Sequence, residues 1–219
     1  MSAIKRVLLV DDHPVVRLGL TLALERAGGF AICGEAGDVA RAREGVARLR
    51  PDFVVLDLAL GGRDGLELVR ELTALGPAAR ILVFSAQPEQ TYARRVFQAG
   101  GHGYLCKDDG VEKVPAALLA LARGERYASP AVQAALFQEF AGGARPSAAR
   151  DPLASLTPRE LQILHLLGAG RAIGDIAREL HLSVKTVGTH RERLKNKLGA
   201  ETARELARVA DEFRRAGRM

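Results

Sequence analysis

The residues best equipped for chemistry in this chain stand at the ends of short apolar runs. Phe53-Val54-Val55-Leu56 ends on Asp57, and Arg6-Val7-Leu8-Leu9-Val10 ends on two adjacent acids, Asp11 and Asp12. Ile81-Leu82-Val83-Phe84 ends on Ser85, and Gly103-Tyr104-Leu105-Cys106 ends on Lys107. Three carboxylates brought together would suit a hard cation with oxygen ligands such as Mg2+, which keeps several waters and pairs with a phosphoryl group. An ammonium and a hydroxyl would suit that phosphoryl's remaining oxygens. A lone acid after a strand could equally cap a helix or sit in a turn, so the reading depends on the four ends converging.

The elements that must bring them together follow from the hydrophobic pattern. Strands are expected near residues 4–10, 30–35, 53–56, 80–85 and 103–106, with helices over 14–27, 38–49, 64–74, 88–99 and 110–123. Helix stops at Gly28-Gly29, Gly76-Pro77 and Gly100-Gly101 agree with that spacing. Such βα alternation predicts a doubly wound, five-stranded parallel sheet with helices on both faces. In an open α/β sheet the carboxyl ends of the strands line the ligand crevice, and all four functional ends are of that kind.

Taken in order, Asp11-Asp12, Asp57 with Asp64-Gly65 after it, Ser85 and Gly103-Tyr104-Leu105-Cys106-Lys107 resemble the receiver domain of two-component response regulators. The resemblance implies that Asp57 is the phosphoacceptor and that Asp11, Asp12 and Asp57 hold Mg2+ together with the backbone carbonyl of Ala59. It implies further that Ser85 and Lys107 contact the phosphoryl group and that Tyr104 is an aromatic rotamer switch. Leu60-Gly61 stands where the family commonly has Met-Pro, and no residue of the phosphorylation set is missing.

After Gly124 the alternation stops. A receiver of residues 1–124 is expected to pass into a linker over 125–152, with a short helix after Ser129-Pro130 whose apolar side carries Ala131, Ala134, Ala135, Leu136 and Phe140. The stretch from Gly142 to Pro152 has little to bury and reads as flexible. A third segment, 153–219, opens on Leu156-Thr157-Pro158-Arg159-Glu160-Leu161, in which Thr157 is an N-cap, Pro158 takes the first helical position and Glu160 closes a capping box. Further helices are expected at Ile173 to Leu180, from Val184 onward with its N-cap at Ser183, and from Thr202 to Arg214. Two short helices, the second one basic, describe a helix-turn-helix whose second helix enters the major groove of DNA.

Leu156-Thr157-Pro158-Arg159-Glu160, Ile176-Ala177, the run from Leu182 to His190 and Lys197-Leu198-Gly199 resemble the LuxR-type DNA-binding domain. Receiver and helix-turn-helix together are similar to the NarL/FixJ class of response regulators. Lys185, Thr189, Arg191 and Lys195 are then candidates for base contact, with Ser183, Arg193 and Lys197 on phosphates. Gly188 occupies a position that commonly carries a side chain aimed at DNA, which removes that contact. The resemblance implies that the last of four helices forms a dimer contact through Leu206, Val209 and Phe213; the plainer reading is that this helix closes the domain's core.

Charge and composition agree with this division. The net charge is +1 over residues 1–124, 0 over 125–152 and +5 over 153–219, so the excess sits where an anionic partner is expected. No apolar stretch approaches the roughly 20 residues that span a bilayer, and no membrane association but cytoplasmic residence is expected. Cys33 and Cys106 are expected as small buried hydrophobes rather than a disulfide.

The expected function is control of transcription through phosphorylation. A cognate histidine kinase would phosphorylate Asp57, and double-stranded promoter DNA would be bound by a phosphorylation-dependent homodimer, with RNA polymerase as a further candidate partner. One rival is a regulator whose receiver is a phosphorylation-independent interaction module. Another is an Mg2+-dependent phosphohydrolase using Asp57 as nucleophile, but such enzymes need a second Asp two residues on, where this chain has Ala59.

Overall fold

The computed structural model describes residues 4–60, 63–74, 79–134, 153, 156–180 and 182–216. The chain divides into two units, residues 1–136 and 137–219.

The first unit carries a five-stranded parallel sheet of β1 (Lys5–Val10), β2 (Phe30–Ala36), β3 (Phe53–Leu56), β6 (Arg80–Ser85) and β7 (Gly103–Cys106), in the order β2-β1-β3-β6-β7. A two-stranded hairpin, β4 (Ala59–Leu60) and β5 (Arg63–Asp64), follows β3. Helices α1 (Pro14–Ala27), α2 (Val39–Leu49), α3 (Gly65–Ala74), α4 (Glu89–Gln98) and α5 (Val114–Ala122) connect and follow the strands. The central strands carry continuous apolar runs because both faces are covered: Val7 to Val10, Phe53 to Leu56 and Ile81 to Phe84 are all buried. Strand order reverses between β1 and β3, and this places the crevice at the ends that carry Asp11 and Asp57.

Three details depart from the expected elements. The helix after β7 starts at Val114 rather than 110, after two 3-10 turns, because Gly110 at φ 90° interrupts the chain. Residues 125–134, expected to begin the linker, belong to the receiver unit instead: the Tyr104 amide donates to the Tyr127 carbonyl at 2.8 Å, and the Ser129 amide to Glu89 Oε1 at 2.6 Å. In the helical turn that follows Ser129, Val132 is buried while Ala131 and Ala134 face solvent, the reverse of the expected side. The remaining residues of the expected linker, with Ala135, Leu136 and Phe140, lie outside the described residues. Cys33 and Cys106 are free thiols but only partly buried.

The second unit consists, among the described residues, of α6 (Pro158–Gly168), α7 (Ile173–Glu179), α8 (Val184–Leu198) and α9 (Ala203–Ala216). The capping box forms as its sequence requires, with the Glu160 amide donating to Thr157 Oγ1 at 3.2 Å and the Thr157 amide to Glu160 Oε2 at 2.8 Å. Leu161, Leu164, Ile176, Val187, Leu194, Leu206 and Ala210 are buried and join the four helices. Gly168 lets α6 and α9 meet backbone to backbone: a Cβ there would stand 2.2 Å from the Ala210 carbonyl oxygen.

Candidate functional site

The sheet register builds the first site. Val10 pairs with Leu56 and Leu56 with Val83, so the residues that follow β1 and β3 emerge side by side, and the Asp57 amide donates to the Val10 carbonyl at 2.8 Å. Ser85 pairs with Cys106, which puts Lys107 one residue beyond it on the neighbouring strand. The backbone closes in from the other side: a Cβ on Gly65 would lie 2.5 Å from Leu58 Cα and 2.9 Å from the Asp57 carbonyl oxygen, so the start of α3 can approach this strand end only as glycine.

Asp57 is 3% exposed and held at both oxygens. Oδ1 accepts from the Ser85 hydroxyl at 2.7 Å and from the Ala59 amide at 3.2 Å, and Oδ2 accepts from Lys107 Nζ at 2.6 Å. Lys107 also lies 2.6 Å from Asp11 Oδ2, so one ammonium serves two buried carboxylates. Burial pushes the Asp57 carboxyl above its ordinary pKa, with Lys107 opposing and Asp11 adding to the rise. Burial works to lower the Lys107 ammonium, but Asp57 and Asp11 outweigh it and the net shift is upward. Lys107 is therefore charged, and the pocket is short of positive charge.

Asp12 is at the mouth, where His13 Nδ1 lies 2.7 Å from its Oδ1 and 3.2 Å from Asp11 Oδ1. Asp11, Asp12, His13 and Asp57 each offer a ligand atom, and these atoms all lie within 4.8 Å of one another. Hard carboxylate oxygens with unmatched negative charge fit a small divalent cation. His13 was not singled out by sequence, although its place directly after the acidic pair was the available signal. Arg17, also missed, secures the loop by donating to the Asp11 carbonyl and to Glu35 Oε2, each at 2.6 Å. Tyr104 is wholly buried, and its hydroxyl donates to the Gln87 carbonyl at 2.7 Å.

The second site is α8. Ser183 caps it, its hydroxyl accepting from the Thr186 amide at 3.0 Å. Val187 and Leu194, seven residues apart, face the core, so Lys185, Thr189, Glu192 and Asn196 form the outward stripe, all exposed, with Arg193 beside them. Arg191 and Lys195 stand on the flanks, where Lys195 Nζ is 3.1 Å and Arg191 Nη2 3.7 Å from Glu192. The structure thus separates the four expected base readers into two outward residues and two flanking ones. Lys197, expected on a phosphate, turns toward the protein instead: its Nζ is 2.6 Å from Oε2 of the buried Glu160. Sequence spacing could not reveal that pair, which joins residues 37 positions apart.

The three residues of the expected dimer contact differ in burial. Leu206 is 1% and Phe213 9% exposed because they pack within their own unit; of the three, Val209 keeps part of its surface.

Comparisons with known proteins agree with both halves. The family model "Response regulator receiver domain" matches residues 7–119, and "Bacterial regulatory proteins, luxR family" matches residues 154–210. The "Virulence factors putative positive transcription regulator BvgA" of Bordetella pertussis is 34% identical over 205 residues, 94% of this chain and 96% of that protein. "Response regulator GacA" of Pseudomonas aeruginosa is 34% identical over 206 residues, 94% of each. Among solved structures, a LuxR-family two-component response regulator from Aurantimonas sp. SI85-9A1 aligns with a TM-score of 0.58 and 36% identity over 64% of this chain and 99% of its own. RcsB of Salmonella enterica serovar Typhimurium, bound to promoter P1flhDC in the presence of the phosphomimetic BeF3-, aligns with a TM-score of 0.62 and 25% identity over 95% of this chain and 99% of that one. With both halves matched and relatives at 34% identity along nearly its whole length, the chain belongs to the NarL/FixJ class of two-component response regulators, in which a receiver and a LuxR-type DNA-binding domain regulate transcription.

Proposed function

We propose that Asp57 is the phosphoacceptor of this regulator and that a histidine kinase supplies the phosphoryl group. The observation that carries this is the buried Asp57 carboxylate gripped by Ser85, the Ala59 amide and Lys107, three donors that can pass to the oxygens of a phosphoryl group. Asp11, Asp12, Asp57 and the Ala59 carbonyl would hold Mg2+, which supplies the positive charge that Lys107 alone does not. Ser85 and Lys107 stabilise the product, and Tyr104 carries the change of state to the surface.

The output is sequence-specific binding to promoter DNA through α8, with Lys185 and Thr189 toward the bases and Ser183, Arg193 and Arg191 toward the backbone. RcsB structures support this reading, since one shows two dimers on two DNAs and another a promoter complex with a phosphomimetic. We take the active species here to be a homodimer that works with RNA polymerase in the cytoplasm; among the described residues no helix is long and apolar enough to cross a membrane.

The test is labelling with a small phosphoryl donor such as acetyl phosphate. Labelling is expected in Mg2+ and not in EDTA, and Asp57→Asn should abolish it. Labelling of that variant to the parent's level would transfer the role to another carboxylate.

A further inference from the structure

Glu192 is out of place on a surface meant for DNA. It lies in the middle of the outward stripe of α8, three residues after Thr189 and four before Asn196, and its side chain is 56% exposed. A carboxylate carried into a groove lined by phosphates is repelled; Lys195 and Arg191, 3.1 and 3.7 Å away, offset part of that, and on the DNA side only a hydrogen-bond donor on a base edge can meet it. In the major groove two base atoms offer one, cytosine N4 and adenine N6, and adenine sets the acceptor N7 beside its donor. Cytosine is therefore the base that a carboxylate tolerates best.

Two neighbouring features favour close contact. Gly188 precedes Glu192 by one helical turn and adds no side chain of its own beside it, and a Cβ built there would stand in open space, with nothing within 4 Å. Lys195 Nζ lies 3.1 Å from Glu192 Oε2, which presents a donor next to an acceptor. A C·G pair sets the cytosine N4 donor next to the guanine O6 acceptor, the complementary arrangement.

We propose that Glu192 is a specificity-determining residue that accepts a hydrogen bond from cytosine N4 at one base pair of each half-site. Gly188 gives the helix the depth that contact needs. The inference rests on the reading of α8 as the helix that enters the major groove, and it adds the identity of a base and of the residue that selects it.

The test is selection of a random duplex library by the full chain in the presence of beryllofluoride, beside Glu192→Ala and Glu192→Gln. The substitutions are on an exposed position, and matching thermal melts would establish that the fold is intact. The parent should enrich a motif with cytosine at one position per half-site. Glu192→Ala should relax preference there by roughly 10-fold while the other positions stay unchanged, as expected for loss of one direct base contact. Glu192→Gln should move the preference toward adenine, whose N6 and N7 an amide matches. Identical motifs from parent and both variants would overturn the role of Glu192 and leave the DNA-reading assignment standing. Failure of the parent to enrich any motif would overturn both.

Discussion

The ammonium of Lys197 lies 2.6 Å from Oε2 of Glu160, the residue that closes the capping box of α6. One carboxylate thus holds the start of α6 and the last turn of α8 together. Its pKa lies below the ordinary carboxylate range: burial would raise it, but Lys197 and the Thr157 amide outweigh that.

This pair sets a pH dependence. Because the folded pKa of Glu160 is depressed, its contribution to stability is complete above the unfolded value, about 4.3, and is lost as pH falls through the folded value. Lys197→Met should destabilise the second unit by about 1–2 kcal/mol at pH 7, a figure reduced for the partial exposure of the lysine. The difference from the parent should shrink toward pH 3. Melting curves of the full chain followed across that range check this.

DNA binding should separate Arg193 from Lys197. Arg193 is exposed and is assigned to the DNA backbone, so Arg193→Ala is expected to weaken binding and to reduce the slope of log affinity against log salt by about 0.9. Lys197→Met should weaken binding with the slope unchanged, since its charge is committed to Glu160. Fluorescence anisotropy at several salt concentrations distinguishes the two.

Metal addition should stabilise the first unit. Asp57 and Asp11 share one ammonium, so a divalent cation relieves a charge shortage that burial makes costly. At 100 times its dissociation constant Mg2+ should add about 2.7 kcal/mol to stability, by mass action. EDTA should reverse the rise in melting temperature, and Asp12→Ala should reduce it.

Gly65→Ala is expected to cost about 1–3 kcal/mol in the first unit, as overpacking does when the atoms in the way are backbone. Acetyl phosphate labelling of Asp57 should slow as its strand end shifts. The melting of the second unit should be unaffected, which differential scanning calorimetry of the full chain can show.

Much of this protein is legible in its sequence. Buried parallel strands must be apolar along their length, so the runs ending on Asp57, Asp11, Ser85 and Lys107 announced themselves, and βα alternation is sufficient to bring such ends to one edge of a sheet. Thr157, Pro158 and Glu160 determined where α6 starts because a helix terminus is satisfied by residues close in sequence. What a side chain meets across the fold is a different matter. The α9 pattern of Leu206, Val209 and Phe213 shows that one side is apolar, and that is equally true of a helix facing its own core and one facing a partner; only the packing against α6 places Leu206 and Phe213 inside their own unit. Residues 125–134 read as linker because a single strand-like bridge from Tyr127 to Gly103 has no periodicity to detect. Lys197 reads as any cation on a basic helix because its partner Glu160 is distant in sequence. Local chemistry wrote the elements and the site's inventory, while the tertiary structure chose the partners, because pairings between distant residues depend on how whole faces pack.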